Sequence, residues 1–155
     1  KRVLDYLNMV NDQNHQISVK LSAKMDKTAQ AVERLQEENF RLKGQVGQLV
    51  DDMCRKEAER YAGSGSVLIF MDGMDADSVR KLADAVTQTC QGCCAVFSGN
   101  ADGSYKYAMG EKDGDLRQFT KEMNAKLNGR GGGKPFFVQG SVQASEKEIR
   151  NFFEQ

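Results

Sequence analysis

The sequence has few of the residues that build catalytic and metal sites. His15 is the one histidine among 155 residues, so a cluster of histidine ligands is excluded and a Ser–His–Asp triad would depend on this residue alone. His15 lies in a charged, helix-like stretch, and we interpret it as a helix-surface residue. No catalytic set is visible, and we expect a non-enzymatic chain with no cofactor of its own.

An excess of either charge is also lacking. Lys plus Arg and Asp plus Glu number 22 each, so no overall basic charge indicates a nucleic-acid binder, and any polyanion site must be local. No run approaches the roughly 18 apolar residues of a membrane span, and no signal peptide opens the sequence. We predict a soluble, cytoplasmic chain with no membrane partner. Its first turn already has the pattern of the middle of a helix, so we expect a fragment of a longer protein.

Four cysteines could in principle form two disulfides or a metal site, but their spacing argues against both. Cys90 and Cys93 have the spacing of half a zinc knuckle, yet no second pair of this kind follows. They lie where a predicted helix ends and a predicted strand begins, whereas a redox-active pair usually opens a helix. We expect reduced cysteines, one or more of them buried.

Glycine is nearly absent from the first 62 residues. Gly44 and Gly47 occur there, and 13 of the 15 glycines follow, beginning with the linker 62–66. Such a change of composition marks a domain boundary. We predict a helical stalk at 1–62 and an α/β globular domain at 66–155.

A seven-residue repeat runs through the predicted stalk. The companion apolar residue comes three positions after the repeat position up to residue 17 and four positions after it from residue 32. Because one uniform coiled coil would not change phase, the pattern predicts two helices, roughly 1–22 and 27–61, folded back as a long antiparallel hairpin. Such a stalk acts as a spacer or a dimerisation rod. The repeat positions are Leu7, Asn14, Leu21, Thr28, Leu35, Leu42 and Leu49.

The globular domain alternates strand and helix patterns, which predicts an α+β or α/β fold: a small mixed β-sheet with helices packed on it. A continuous apolar run at 67–70 predicts a buried strand. Apolar positions three and four residues apart then predict a helix capped by Asp75 or Asp77. The other predicted elements are strands at 93–98, 104–109 and 136–138, a turn at 100–103, a helix from Asp115 to 127, and a last helix opened by the capping box of Ser145 and Glu148.

Aspartates cluster after the first predicted strand, where α/β folds often hold ligands. The cluster consists of Asp72, Asp75 and Asp77. Asp75 and Asp77 also suit the start of a helix, and we favour capping over acid–base or metal-binding work.

The most informative segment is 128–140. Four glycines occupy the five positions 129–133, and each loses more conformational freedom on folding than any other residue, so bare backbone must be required there. One interpretation is a nest of successive backbone N–H groups that binds an anion. The other is a crowded crossing of loop and helix that only glycine fits, and the two are not exclusive. We predict a phosphate or nucleic-acid site formed by Arg130, Gly131, Gly132, Gly133 and Lys134, with help from Lys106, Lys112 and Lys126.

Two familiar nucleotide-binding motifs do not fit this segment. A Walker A loop has Ser or Thr after its lysine, whereas Pro135 follows Lys134 here. No GxGxxG follows the first predicted strand either. Nucleotide hydrolysis and dinucleotide binding are therefore not expected.

The glycine segment resembles the signature of a known family. Asn128-Gly129-Arg130-Gly131-Gly132-Gly133-Lys134-Pro135, followed by Gln139-Gly140, is similar to the C-terminal (C-Ala) domain of alanyl-tRNA synthetases and of the longer AlaX-type alanyl-tRNA editing proteins. This is the branch of the DHH-associated domain that follows a helical stalk. Segment 70–75 resembles that domain's first strand and turn, and segment 31–39 resembles its stalk. The chain departs from the family at 136–138, which lacks the usual acidic residue after the proline, and at 140–142, where the second glycine cluster is thinner.

The resemblance implies what the chain binds. In that family the stalk and the globular part bind tRNA together and support dimerisation. A non-catalytic, homodimeric module that helps a separate editing domain capture mischarged tRNA-Ala is therefore expected. The family's editing zinc site has no counterpart in these residues, so zinc is expected only in an upstream domain.

Two other functions stay open at this point. The related domain of DHH phosphoesterases holds the substrate phosphate or the end of an oligonucleotide, which would make this chain the substrate lobe of a phosphohydrolase. Alternatively, the chain is purely structural, a dimerisation rod with a glycine-rich cap.

Overall fold

A computed structural model describes residues 2–99 and 103–154. The chain divides into two compact units, one ending at Gln48 and the other beginning at Leu49. In chain order the elements are α1 (Arg2–Lys20), a 3-10 turn (Met25–Lys27), α2 (Thr28–Arg60), β1 (Val67–Asp72), α3 (Ala76–Thr87), β2 (Cys94–Gly99), β3 (Ser104–Gly110), α4 (Arg117–Lys126), β4 (Arg130–Lys134), β5 (Phe137–Gln143) and α5 (Glu146–Phe153).

The first unit consists of α1 and the N-terminal part of α2. Both predicted helices are present, and the break between them lies where Ser22 adopts a φ of 48°. The close packing expected of a hairpin is not seen, because α1 has no buried residue and Leu7 and Leu35 are 56% and 55% exposed. A heptad pattern shows which side chains need cover but not which surface covers them. His15 is exposed on α1, as expected.

The second unit begins inside α2. Cys54 and Ala58 near the end of this helix are buried, and Cys54 packs in one core cluster with Leu82 of α3. The Oγ1 of Thr89 also donates a hydrogen bond to the carbonyl of Ala58, at 2.7 Å. The last turns of α2 therefore pack with the sheet domain, while the boundary at 62–66 stays a prediction.

The second unit contains one mixed sheet of five strands, in the order β1-β2-β3-β5-β4. β1 and β2 are parallel, and the other neighbours are antiparallel. The strands predicted at 67–70, 93–98 and 104–109 are confirmed, and the short strand expected at 136–138 is the longer β5. The glycine run is itself a strand, β4, at one edge of the sheet. The turn predicted at 100–103 falls mostly outside the described residues.

Helices cover the two faces of the sheet unequally. α3 packs against β1, β2 and β3, where Val96 and Ala108 are buried. α4 and α5 pack against the other face, around Phe97, Tyr107 and Met109. On the α3 side, the residues of β5 and β4 beyond Phe137 are exposed. The cover of this face therefore stops part-way across the sheet.

Three of the four cysteines are buried and all four are free thiols. Burial raises the pKa of Cys93 to about 12, with the charge of Glu111 adding to the effect. The expectation of reduced cysteines, one or more of them buried, is confirmed. Among the described residues, no helix combines the length and the apolar character needed to cross a membrane.

The capping box of α5 allows a test of the fold. The backbone N–H of Glu148 donates to the Oγ of Ser145 at 3.3 Å, and the backbone N–H of Ser145 donates to the Glu148 carboxylate at 2.7 Å. We expect Ser145→Ala to lower the free energy of unfolding by about 1 kcal/mol, because the first turn of α5 loses its cap. Urea titration measures the change, and Ser145→Thr, which keeps the hydroxyl, serves as the control. Equal losses in both variants would contradict this account.

Candidate nucleic-acid interface

The glycine run forms β4, an edge strand. It pairs with β5 so that Gly131 lies opposite Gly140 and Gly132 lies opposite Gln139. All of its residues are exposed, and within residues 2–99 and 103–154 no strand pairs with its outer side. Because successive N–H groups of an extended strand point to opposite sides, the predicted nest of consecutive amides is wrong. The outer side is not wholly free, because the carbonyl of Gly131 accepts a hydrogen bond from the Nδ2 of Asn124 at 3.3 Å.

Packing explains most of the glycines. Tyr107 of β3 lies beside Gly140, which in turn lies opposite Gly131. A Cβ on Gly140 would crowd the carbonyl of Arg130, the Cα of Gly131 and the Tyr107 hydroxyl. At positions 131 and 140 the structure thus supports the interpretation that the crossing is too crowded for any residue but glycine. Gly133 is crowded as well, by the carbonyl of Phe137.

Tyr107 fixes this arrangement through hydrogen bonds to α4. Its buried hydroxyl donates to the Oδ1 of Asn124 at 3.1 Å, and the Nδ2 of Asn124 donates to the carbonyl of Gly131 at 3.3 Å. Burial raises the pKa of Tyr107, while the Asn124 hydrogen bond acts in the opposite direction. The edge strand is therefore attached to the layer formed by α4.

Gly132 is different from its neighbours. A Cβ added there would meet no heavy atom within 4 Å, and the position lies beside Gln139, on the face opposite Tyr107. Packing does not require glycine at this position. Its effect is to leave the sheet face bare between Arg130 and Lys134.

The predicted cations of β4 lie on this bare face together with Lys106. Arg130 and Lys106 are both paired in register with Ser141, so their Cα atoms are about 10 Å apart across the strands. Arg130 and Lys134 are four residues apart along β4, about 13 Å. Neither Arg130 nor Lys106 forms a salt bridge with any residue that the structure describes. Exposed cations at these spacings suit a chain of phosphates.

The other two predicted helpers lie elsewhere. Lys112 donates from its Nζ to the carbonyl of Gln88 at the end of α3, at 2.7 Å. Lys126 lies on α4, in the opposite helix layer, with its Nζ 5.4 Å from the centre of the Phe152 ring. The structure therefore groups Lys106, but not Lys126, with β4.

A groove that no local sequence pattern indicates lies between α3 and the exposed parts of β5 and β4. It has two open depressions of about 390 and 330 Å³, both lined by Arg80 and Gln139, and we call them together the α3 groove. The guanidinium of Arg80 donates to the Oδ1 of Asp77 at 3.1 Å. Helical periodicity places Arg80 away from the core, but only the strand order shows that it lies beside β5 and β4.

The aspartate cluster has a structural role in part. The backbone N–H of Ser78 donates to the Oδ1 of Asp75 at 2.8 Å, which confirms Asp75 as the cap of α3. The hydrogen bonds from Ser78 lower the pKa of Asp75, and the charge of Lys106 adds to this. Within the described ranges, no group of three potential metal ligands is present.

The DHHA1 domain family matches residues 64–155, which is more than half of the chain. This chain belongs to the DHHA1 domain family. The family expected from the glycine segment is thereby confirmed for the globular part, and the match begins in the linker before β1.

Known relatives of this DHHA1 chain are alanine–tRNA ligases. It is 30% identical over 79 residues to the ligase of Acholeplasma laidlawii, covering 51% of the chain and 9% of the ligase. It is 23% identical over 156 residues to the ligase of Psychrobacter sp., covering 93% of the chain and 17% of the ligase. The DHHA1 chain therefore spans less than a fifth of the length of either relative.

A solved structure shows the same fold. The crystal structure of the C-Ala domain from Aquifex aeolicus alanyl-tRNA synthetase superposes with a TM-score of 0.50 and 19% identity, covering 60% of this chain and 92% of that one. The fold expected for the globular domain, a small mixed sheet with helices packed on it, is confirmed, and a long helix, α2, precedes it.

The contrast between Gly140 and Gly132 can be tested directly. We expect Gly140→Ala to lower the free energy of unfolding by about 1–3 kcal/mol, because the new methyl group overlaps the Arg130 carbonyl and forces the strands apart. Gly132→Ala should be neutral or stabilising by about 0.5 kcal/mol, since it restricts only the unfolded chain. Chemical denaturation of both variants checks this. A destabilised Gly132→Ala would contradict the open environment described for that position.

Proposed function

We propose that this DHHA1 chain is a non-catalytic module that binds tRNA through the α3-side face of β3, β5 and β4. The observation that supports this most is the presence of Lys106, Arg130 and Lys134 on one exposed face, with bare backbone at Gly132 between the two cations of β4. Arg130 can bind a phosphate with two parallel hydrogen bonds, and the lysines act as point charges. The zero net charge of the chain does not oppose this, because the cations are local.

Acidic residues border the same face and limit the affinity. Asp77 and Asp84 of α3 line the α3 groove, and they repel phosphate. We therefore expect modest affinity for the isolated chain, mainly electrostatic and weakening steeply with salt.

The similarity to alanine–tRNA ligases supports tRNA-Ala as the RNA partner and translation in the cytoplasm as the setting. The module would help a catalytic domain elsewhere in a parent ligase or editing protein to capture charged or mischarged tRNA. Any zinc chemistry would belong to such a domain. We assign no catalytic residue, metal or cofactor to the residues of this chain.

The tRNA-binding proposal predicts the effect of removing the two cations of β4. We expect Arg130→Ala combined with Lys134→Ala to weaken tRNA binding about tenfold or more at low salt. The slope of log affinity against log salt should fall by about 1 to 2, because two phosphate contacts are lost. Filter binding across a salt series measures both quantities.

The matched control removes two positive charges from the opposite layer, with Lys126→Ala and Lys147→Ala. This control variant should leave tRNA affinity nearly unchanged. The measurement also tests the earlier prediction that Lys126 helps in binding. Unchanged affinity in the Arg130 and Lys134 variant, with a normal unfolding curve, would refute the tRNA interface. Competition by a short 5′-phosphorylated oligonucleotide as effectively as by tRNA would instead favour the phosphoesterase-lobe alternative.

We also propose that the stalk mediates homodimerisation. Leu7, Leu35 and Leu42 are exposed at heptad positions, and a second copy could cover them by coiled-coil packing. We expect a dimer in sedimentation equilibrium, and a monomer after Leu35→Asp with Leu42→Asp, because buried carboxylates are costly. Replacement of the exposed charges Glu33 and Glu37 by alanine is the control. A monomeric unchanged protein would exclude this role.

A further inference from the structure

The α3 groove contains features that phosphate binding does not require. Its 330 Å³ depression is lined by Phe136 and Asp84 as well as by Arg80, Lys134 and Gln139. Phe136 is 49% exposed, whereas every other phenylalanine of the second unit belongs to one of the two core clusters. An aromatic ring left facing solvent beside a basic strand needs an explanation of its own.

Phe136 lies in the turn between β4 and β5, next to the cations. The Nζ of Lys134 is 5.7 Å from the centre of its ring, so a ligand phosphate on Lys134 would lie close to the ring. Proteins that bind single-stranded nucleic acid combine a positively charged groove with aromatic side chains on which bases stack. Phe136 and Lys134 provide these two parts.

Asp84 indicates which part of the ligand enters the depression. Its exposed carboxylate forms no ion pair with a described residue, and it would repel a phosphate there. A carboxylate accepts hydrogen bonds from the amino group of a base such as cytosine. Gln139, opposite Gly132 on the same face, offers both a donor and an acceptor. The depression is at the lower end of the size range of ligand pockets.

We infer that the α3 groove binds one unpaired nucleotide of the RNA, with its base stacked on Phe136 and its amino-bearing edge on Asp84 and Gln139. The adjoining phosphates lie on Lys134 and Arg130. This rests on the proposed function, because the same cations hold the backbone. A base with an exocyclic amino group fits the groove, and uracil, which has none, is disfavoured.

The test measures binding of the full chain to fluorescently labelled RNA octamers of adenine, cytosine or uracil, and to a blunt RNA duplex. We expect the adenine and cytosine octamers to bind more tightly than the uracil octamer and the duplex. Phe136→Ala should weaken binding of the adenine octamer about tenfold or more without changing the salt slope, since no charge is removed. Phe136→Tyr should retain binding, and Phe40→Ala, at an 83% exposed stalk phenylalanine, should have no effect.

The role of Asp84 has a separate readout. Asp84→Asn should raise affinity for all octamers, because a negative charge is removed. It should also reduce the ratio of the affinity for the cytosine octamer to that for the uracil octamer, because the carboxylate that accepts from the amino group is lost. An unchanged preference would overturn the assignment of Asp84 to the base edge.

The outcomes separate the two proposals. Unchanged octamer binding in Phe136→Ala, together with loss of binding in the Arg130 and Lys134 variant, would overturn the nucleotide site and leave the tRNA interface standing. Equal affinity for the duplex and the octamers, unaffected by Phe136→Ala, would also overturn the nucleotide site and leave the tRNA interface standing. No binding of tRNA by the unchanged protein would overturn both.

Discussion

The position of the sheet edge depends on Tyr107. Its ring lies where β3, β5 and β4 meet, and its hydroxyl connects to the carbonyl of Gly131 through the side-chain amide of Asn124. The backbone of the facing strand and the Tyr107 hydroxyl leave no room for a side chain at 131 or 140, so close packing requires glycine at both positions. Without this pair of glycines β4 could not join the sheet, and its cations would have no fixed positions relative to Lys106.

The candidate interface also depends on where α3 stops covering the sheet. One row across the strands contains Ile69, Val96 and Ala108, which are buried, and then Gln139 and Gly132, which are exposed. The same sheet face is therefore part of the core where α3 covers it and is open surface beyond α3. β3 and β5 each contribute buried residues to the core, whereas β4 has none and is held by its pairing with β5 and by Asn124.

Local signals predicted the elements well and their assembly poorly. The run at 67–70, the cap at Asp75 and the capping box at Ser145 each depend on neighbours in sequence, and each is present. The pairing of β4 depends on Tyr107 and Asn124, and a run of glycines has no alternation from which a strand could be inferred. Arg80 and Lys106 meet the cations of β4 only through the strand order. The exposed leucines at the heptad positions of the stalk are a similar case, since a heptad pattern does not identify the surface that packs against it.

The two interpretations of the glycine segment apply to different residues of it. Gly131, Gly133 and Gly140 are explained by backbone and side chains that crowd them, whereas nothing in the described structure crowds Gly132. An extended strand also presents only alternate amides to a ligand, which gives a weaker anion site than a nest. Discrimination between ligands must therefore come from side chains around the bare strip, namely the cations of β4 with Phe136, Asp84 and Gln139 beside it. In the proposed interface, the glycines set the distance at which a ligand can approach, and the side chains determine which ligand is bound.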